Sequence, residues 1–157
     1  MTTVGITGHQ GIPDEAMPYV RVGISEVLSS IEPPLYGVSC LAAGADQVFA
    51  DSLLAASGEL IAIIPCADYE STFDPVGIEG YRNYLDSACE KVILDFDAPS
   101  EAAFMAGGEE VVSRCDRLVA VWDGKPSQGL GGTADVVALA HSRGVPVSVV
   151  WPPGVTR

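Results

Sequence analysis

The feature that most constrains the fold is a regular alternation of short β-branched runs with longer helical stretches. The runs predict strands at 2–7, 35–39, 60–64, 92–95, 117–122 and 145–151, and the stretches between them predict helices at about 14–31, 45–57, 78–89, 100–114 and 133–142. The strand runs are nearly continuous in apolar residues and are not joined by two-residue hairpin turns, which is typical of a parallel sheet buried on both faces. The prediction is an α/β fold: one domain over 1–157 with a Rossmann-like, mainly parallel sheet of about six strands and helices on both faces.

The same pattern predicts the core and the helix ends. Ser100 is the predicted N-cap of one helix, and Gly58 and Gly144 are the predicted C-terminal caps of two others. Residues 66–80 are the irregular part of the chain, and within them 68–75 are too polar and too broken for core. The residues predicted to be buried are Val4, Ile6, Val38, Ile61, Ile63, Val92, Val119, Val121, Val147 and Val149.

The charge balance bears on the partners. The chain has 8 Lys and Arg against 21 Asp and Glu, a net charge of -13. Such a field repels polyanions, so the expected partners do not include nucleic acid. A small phosphorylated ligand stays possible, because amides at helix N-termini hold phosphate without basic side chains.

Targeting and metal signals are weak. No stretch approaches the roughly 20 apolar residues that span a bilayer, and the start carries no basic region, so we expect no membrane partner and a cytoplasmic protein. Cys40, Cys66, Cys89 and Cys115 are far apart and include no CxxC pair, which predicts reduced thiols and no metal site.

Ligands of open parallel sheets bind beyond the carboxyl ends of the strands, where loops and helix N-termini converge. Four segments meet this condition: 8–11, 40–46, 123–125 and 129–135. The most specific is the turn Gly129-Leu130-Gly131-Gly132-Thr133, which opens a helix directly after a buried strand. Gly131 and Gly132 let a ligand approach the free helix amides, and Thr133 adds a hydroxyl, an arrangement that suits phosphate or ribose. The alternative is a turn in which Thr133 only caps the helix.

The first loop contains Gly8, His9 and Gln10 in a GxxGxxG spacing. This is not the GxGxxG fingerprint, and NAD binding is therefore disfavoured. His9 is a candidate for hydrogen bonding to a phosphate or hydroxyl of the ligand. The alternative is a histidine on a surface loop.

Two further turns supply candidates. Ala43 and Gly44 leave room for a ligand near backbone amides, and Asp46 is either a ligand contact or an acid that favours the helix N-terminus. Asp123 could accept from ribose hydroxyls and Lys125 could pair with a phosphate, unless both belong to a solvated Asp-Gly turn. Residues 68–74 follow the third strand and are expected to form a flap at this edge, with Tyr69 or Phe73 available to stack on a base.

Four segments of the chain occur in a characteristic order: Gly8-His9, 41–46, 119–124 and 131–135. Their sequences and order resemble the SLOG superfamily, the Rossmann-like proteins that include LOG, DprA and molybdenum-cofactor carriers. The resemblance covers nearly the whole chain and is nearest to small bacterial members. It implies a bound nucleotide or nucleotide-derived ligand and a homodimer or higher homo-oligomer. Similar sequences carry Arg after Gly-His, so Gln10 implies a less charged ligand here.

The resemblance also bears on catalysis. LOG enzymes hydrolyse the N-glycosidic bond of nucleoside 5′-monophosphates and carry PGGxGTxxE with a catalytic Glu. Here Val136 stands at that Glu, and the nearest acid, Asp135, is one residue early and turned by about 100° on a helix. Nucleoside 2-deoxyribosyltransferases, which the same segment resembles, need a Glu at the same place.

Three hypotheses follow. The first is a module that binds or senses a nucleotide without turnover. The second is an N-glycosidase in which Asp123 or Asp135 is a displaced catalytic carboxylate. The third is a protein-interaction scaffold with a vestigial pocket.

Overall fold

The computed structural model describes residues 1–127 and 129–157 and contains a six-stranded parallel sheet in the order β4-β3-β2-β1-β5-β6. All five strand pairings are parallel, as the apolar runs predicted. The strands are β1 (Thr2–Gly8), β2 (Leu35–Ser39), β3 (Glu59–Ile64), β4 (Glu90–Ile93), β5 (Arg117–Val121) and β6 (Val147–Val149). The helices are α1 (Met17–Ser29), α2 (Ala45–Ala55), α3 (Pro75–Ser87), α4 (Glu101–Arg114) and α5 (Thr133–Ser142), with a 3-10 turn at Tyr69–Thr72. The predicted fold class is confirmed.

Successive side chains of a strand point to opposite faces of the sheet. Helices cover both faces, so both are buried. One core contains Val4 and Ile6 of β1 packed with residues of α1 and α2. The other contains Val38 of β2 and Ile63 of β3 packed with residues of α4 and α5. The sheet is therefore a middle layer between two layers of helices.

The burial prediction fails toward the edges of the sheet. Val4, Ile6, Val38, Ile63, Val119 and Val121 are buried, as predicted, whereas Ile61, Val92 and Val147 are only partly buried. Val149 is wrongly predicted and is 56% exposed. Strands β4 and β6 are the edge strands, so fewer elements cover them than cover β1 and β5.

Local capping explains several helix ends. The Ser100 hydroxyl accepts from the Ala103 amide at 3.0 Å, which confirms the predicted N-cap, and Gly144 has the left-handed φ of +71° expected of a C-terminal cap. The prediction for Gly58 is wrong. Ser57 takes the left-handed conformation at φ +61°, and the Gly58 amide closes the turn on the Leu53 carbonyl at 2.9 Å.

The segment after β3 is more ordered than its polarity predicted. Asp74 caps α3 by accepting from the Gly77 amide at 2.6 Å, so this helix begins at Pro75 rather than at 78. Tyr69 is only 4% exposed and belongs to the core, contrary to the prediction for 68–75. Its ring packs edge-on against Phe73 and Tyr81, which replaces the apolar run that the sequence lacks here.

The strand order sets the position of the ligand edge. From β1 the chain steps outward through β2, β3 and β4, then returns to place β5 on the other side of β1. The loops after β1 and β5 therefore diverge at their carboxyl ends and leave a crevice between them, where ligands of open α/β sheets bind. In the described part of the chain, no helix is long and apolar enough to cross a membrane.

Candidate functional site

A cavity of about 500 Å³ lies at this crevice. The volume falls in the range of small-ligand sites. Of the residues predicted to bind a ligand, nine line it: Gly8, His9, Gln10, Ala43, Asp46, Lys125, Gly131, Gly132 and Thr133. Gly44, Asp123 and Asp135 are outside the lining, although each contacts a loop that forms it.

The glycine-rich turn after β5 presents the N-terminus of α5 to the cavity. Gly131 has a φ of +86°, and a Cβ there would meet the Met105 amide and Phe104, so only glycine fits. Gly132 is the N-cap of α5, and the amides of Thr133 and Ala134 have no hydrogen-bond partner among the described residues. Both residues line the cavity, and two free amides therefore lie at the positive end of a helix dipole.

Asp135, in the first turn of α5, stabilises the glycine-rich turn through hydrogen bonds. Its carboxylate accepts from the Gly131 amide at 3.1 Å, while its own amide donates to the Ser127 hydroxyl at 3.3 Å. The side chain thus points back to the turn. Its catalytic role stays a prediction, but this carboxylate is not on the cavity wall.

His9 connects the loops after β1 and β5. The amide of Asp123 donates to His9 Nε2 at 3.0 Å, and Asp123 Oδ1 lies 3.2 Å from the same nitrogen. One nitrogen cannot accept from the first group and donate to the second. Burial, followed by the charge of Arg157, lowers the pKa of His9, which favours the neutral ring that accepts. His9 is 6% exposed and packs edge-on against Trp151, so it braces the site even though it borders the cavity.

Asp123 holds the other end of the loop after β5. Its carboxylate accepts from the Lys125 amide at 3.0 Å and lies 3.4 Å from Arg157 Nε. Its side chain is 3% exposed. Burial opposes its ionisation, but the hydrogen bond from the Lys125 amide, together with His9 and Arg157, outweighs burial and lowers the pKa of Asp123.

Gly44 allows the loops after β1 and β2 to touch. It has a φ of +83°, and a Cβ there would collide with the carbonyl oxygens of His9 and Gln10. The next amide, that of Ala45, donates to the His9 carbonyl at 3.1 Å. Gly44 therefore shapes the cavity without lining it.

Asp46 is the buried acid of the site. The residue is 8% exposed, and one carboxyl oxygen accepts from the Ala42 amide at 3.3 Å. The other oxygen has no protein partner among the described residues, and the side chain lines the cavity. Burial raises the pKa of Asp46 to about 7, because the Ala42 hydrogen bond offsets only part of the desolvation.

The predicted flap does lie at this edge. Tyr69, Thr72 and Phe73 line the cavity. Phe73 stacks on Tyr81 with ring centroids 4.8 Å apart, so the two rings hold each other in place. Stacking of a base on this segment stays a prediction.

The lining residues that the sequence analysis missed include Glu101, Phe104 and Arg157. Glu101 and Phe104 are in the first turns of α4, whose N-terminus reaches the same edge as those of α2 and α5. The alternation of strands and helices contained that signal, but α4 has no glycine-rich turn to draw attention to it. Arg157 lies at the cavity because the chain after β6 passes beside it. No local pattern in the sequence indicates the direction of that segment.

No family model matches the sequence, and no curated protein matches it either. Solved structures do. The fold is similar to that of DNA processing protein A (DprA) from Streptococcus pneumoniae, with a TM-score of 0.68 and 18% identity over 94% of this chain and 50% of that chain. The fold is also similar to that of DprA from Helicobacter pylori, a protein with a single-stranded DNA binding mode. The TM-score is 0.67 and the sequence identity is 18%, over 94% of this chain and 64% of that chain. The chain thus spans about half to two thirds of these proteins.

A third similar structure is that of TM1055, a structural genomics target. Its TM-score is 0.58 at 17% identity, over 94% of this chain and 72% of that chain.

These similarities correct one expectation. The exclusion of nucleic acid as a partner is wrong, because a protein with this fold has a single-stranded DNA binding mode. The net charge of -13 is a sum over the whole chain, whereas the cavity carries Lys125, Arg157 and free amides as well as Asp46 and Glu101. Local charge, not the total, acts on a ligand at this edge. The chain therefore has the same Rossmann-like α/β fold as these solved structures, which include the DprA proteins among the group that its glycine-rich turns resemble.

Proposed function

We propose that this protein binds a nucleotide or nucleotide-derived ligand in the cavity at the carboxyl edge of the sheet, without turnover. The observation that carries the proposal is that one cavity contains both hydrogen-bond donors with positive charge and aromatic side chains. The first turn of α5 with Lys125 provides donors and positive charge, and Tyr69 and Phe73 provide aromatic surface. A phosphate group binds to donors and positive charge, and a base stacks on aromatic surface.

The phosphate end depends on the backbone. The amides of Thr133 and Ala134 are unpaired within the described chain and lie at a helix N-terminus, where an anion is stabilised by both hydrogen bonds and the helix dipole. Lys125 and Arg157 add positive charge at the same cavity. This combination supports phosphate binding in a chain that is acidic overall.

The proposal of binding without turnover is supported by the positions of the residues that would replace the catalytic Glu. Val136 occupies the position of the catalytic Glu of LOG enzymes and is 3% exposed. Asp135 is bound to the Gly131 amide and Asp123 to the Lys125 amide, and neither lines the cavity. An N-glycosidase needs a carboxylate facing the bond that breaks. The two carboxylates that the N-glycosidase hypothesis names are not on the cavity wall, so we rank that hypothesis second.

Single-stranded DNA is a second candidate ligand, because the similar DprA from Helicobacter pylori has a single-stranded DNA binding mode. A strand offers the same phosphates and bases as a free nucleotide. The acidic surface away from the cavity opposes a long polyanion, so any such binding should contact few phosphates and weaken only modestly with added salt.

The test compares nucleoside 5′-monophosphates, the matching nucleosides, inorganic phosphate and a short oligothymidylate by calorimetry and thermal shift. A ligand at 100 times its dissociation constant adds about 2.7 kcal/mol of stability. We expect the monophosphates to bind more tightly than the nucleosides, and Lys125→Ala to weaken them about tenfold by removing a charged phosphate contact. The matched control is Lys91→Ala, which removes the same charge from β4 at an exposed site outside the cavity.

Two results would refute the proposal. One is the absence of binding by every ligand of the panel while the fold is intact, which favours the scaffold hypothesis. The other is steady release of free base from a monophosphate that is lost in Asp123→Asn or Asp135→Asn, which makes the displaced carboxylate a catalyst.

A further inference from the structure

The two ends of the cavity differ in chemistry. At the end near β5 the wall includes Lys125, Ser127 and the first turn of α5, with Glu101 of α4 beside Gly129. At the end near β3 it is formed by Pro65, Tyr69 and Phe73. Strands β1 and β2 lie between these ends in the sheet. A ligand that fills the cavity is therefore anionic at one end and flat and apolar at the other.

Asp46 follows β2 and lies between the two ends. Two strand spacings, about 10 Å, separate β2 from β5. This is the reach of a nucleoside monophosphate from its phosphate to the edge of its base. With the phosphate at the N-terminus of α5, the base comes within reach of the Asp46 carboxyl group, whose free oxygen has no protein partner among the described residues.

We propose that Asp46 determines the specificity of the site, its free carboxyl oxygen accepting a hydrogen bond from an exocyclic amino group of the base. The proposal rests on the proposed nucleotide binding. An ionised carboxylate only accepts hydrogen bonds, so a buried one selects a ligand that donates. A base that presents a carbonyl oxygen at the same place leaves both acceptors unpaired, which is costly in a buried site.

The ionisation of the neighbours supports this assignment. The titratable groups that face Asp46 are the Cys40 thiol after β2 and the Tyr69 phenol after β3. Burial raises the pKa of both groups, and the charge of Asp46 adds to the effect, so they stay neutral near pH 7. Asp46, with its pKa near 7, is the group that gains or loses charge when an amine donor arrives.

A purely structural role explains less. An acid in the first turn of a helix is stabilising when it is exposed and charged. Asp46 is buried instead, and its raised pKa means that its charge lowers the stability of the fold. Placing this group at a cavity wall costs stability, as residues that bind ligands often do.

The experiment combines changes in the ligand with changes in the protein. Three pairs of 5′-monophosphates are compared. Guanosine and inosine, and adenosine and purine riboside, differ only by the presence of an amino group, whereas in cytidine and uridine the amino group is exchanged for a carbonyl and N3 becomes protonated. At pH 8 we expect the amino member of at least one pair to bind the wild-type protein at least tenfold more tightly, a difference of about 1.4 kcal/mol. Asp46→Asn, which still accepts from the Ala42 amide but presents a donor to the ligand, should abolish that preference. Asp51→Asn, an exposed acid of the same helix, should retain it.

A second measurement needs no variant. At pH 6 the carboxyl group of the wild-type protein is mostly protonated, so the preference for the amino member should shrink. The inference is overturned if monophosphates bind but no pair is distinguished, or if the preference survives unchanged in Asp46→Asn. Failure of every monophosphate to bind refutes the proposed function as well, so the two failures are distinguishable.

Discussion

Replacement of Asp46 by Asn should change how the stability of the protein depends on pH. In the folded state burial raises the pKa of Asp46 to about 7, whereas the ordinary value is 3.8. The raised pKa means that the folded state holds this proton more tightly than the unfolded state does. The stabilisation from the neutral form is fully present below about pH 4 and is lost as the pH rises to about 7.

The size of the effect follows from that difference. At about 1.4 kcal/mol per pH unit, the wild-type protein loses on the order of 4 kcal/mol from this group between pH 4 and pH 7. Asn carries no charge at any pH, so Asp46→Asn escapes the loss. The free energy of unfolding of the variant, minus that of the wild type, should rise by up to about 1.4 kcal/mol per pH unit and level off above about pH 8.

Urea denaturation at constant ionic strength, from pH 4.5 to 8.5, measures this difference. The lowered pKa of His9 has the opposite slope, since it destabilises the fold as the pH falls below about 6.5, but it contributes to both proteins and cancels in the difference. Asp51→Asn is the control, because that acid is exposed on the same helix. A difference between Asp46→Asn and wild type that stays constant within about 1 kcal/mol over this range would show that the carboxyl group is not desolvated, and the reasoning would be refuted.

Three further substitutions test the loops around the cavity. Gly44→Ala should cost about 3 kcal/mol in urea denaturation, since it combines a left-handed φ with a collision, whereas Gly11→Ala, where a Cβ meets nothing within 4 Å, should be nearly neutral. His9→Ala should cost about 3 kcal/mol by leaving the buried Asp123 amide unpaired and opening a void beside Trp151; full stability in this variant would contradict the bracing role. Asp135→Ala should cost about 1 kcal/mol while Asp135→Asn, which keeps the acceptor for the Gly131 amide, should not; equal losses in both would assign the contribution to charge.

The parallel sheet could be predicted because its cause is local. Each buried strand needs an apolar run, each crossover needs a helix, and both leave a pattern in the sequence. The bounds of β2 and α5 match the prediction, since Pro33-Pro34 precedes the one and a glycine pair precedes the other. The segment 66–80 could not be predicted, because Tyr69 is buried by contacts with Tyr81, twelve positions away.

The loops of the site were found for the same reason, but the roles of their side chains were not. Gly131 and Gly44 are visible in the sequence as glycines, yet only their contacts show that one exposes a helix end and the other lets two loops touch. His9 was weighed as a ligand contact or a surface residue, and it is a buried brace at the cavity wall. Such roles depend on which loop lies opposite, and no spacing along the chain encodes that.

The acids show most clearly why position along the chain does not determine function. A turn built from glycines leaves many backbone amides without a partner, and buried amides must be paired. Asp135 pairs with the Gly131 amide and Asp123 with the Lys125 amide, so both acids are needed for the loop to hold its shape. Because they hold the loop, the amides of Thr133 and Ala134 stay free to meet a ligand. Glycines and acids therefore occur together here for a structural reason, and Asp46, an acid with a free oxygen at the cavity, lies on a different strand-to-helix turn.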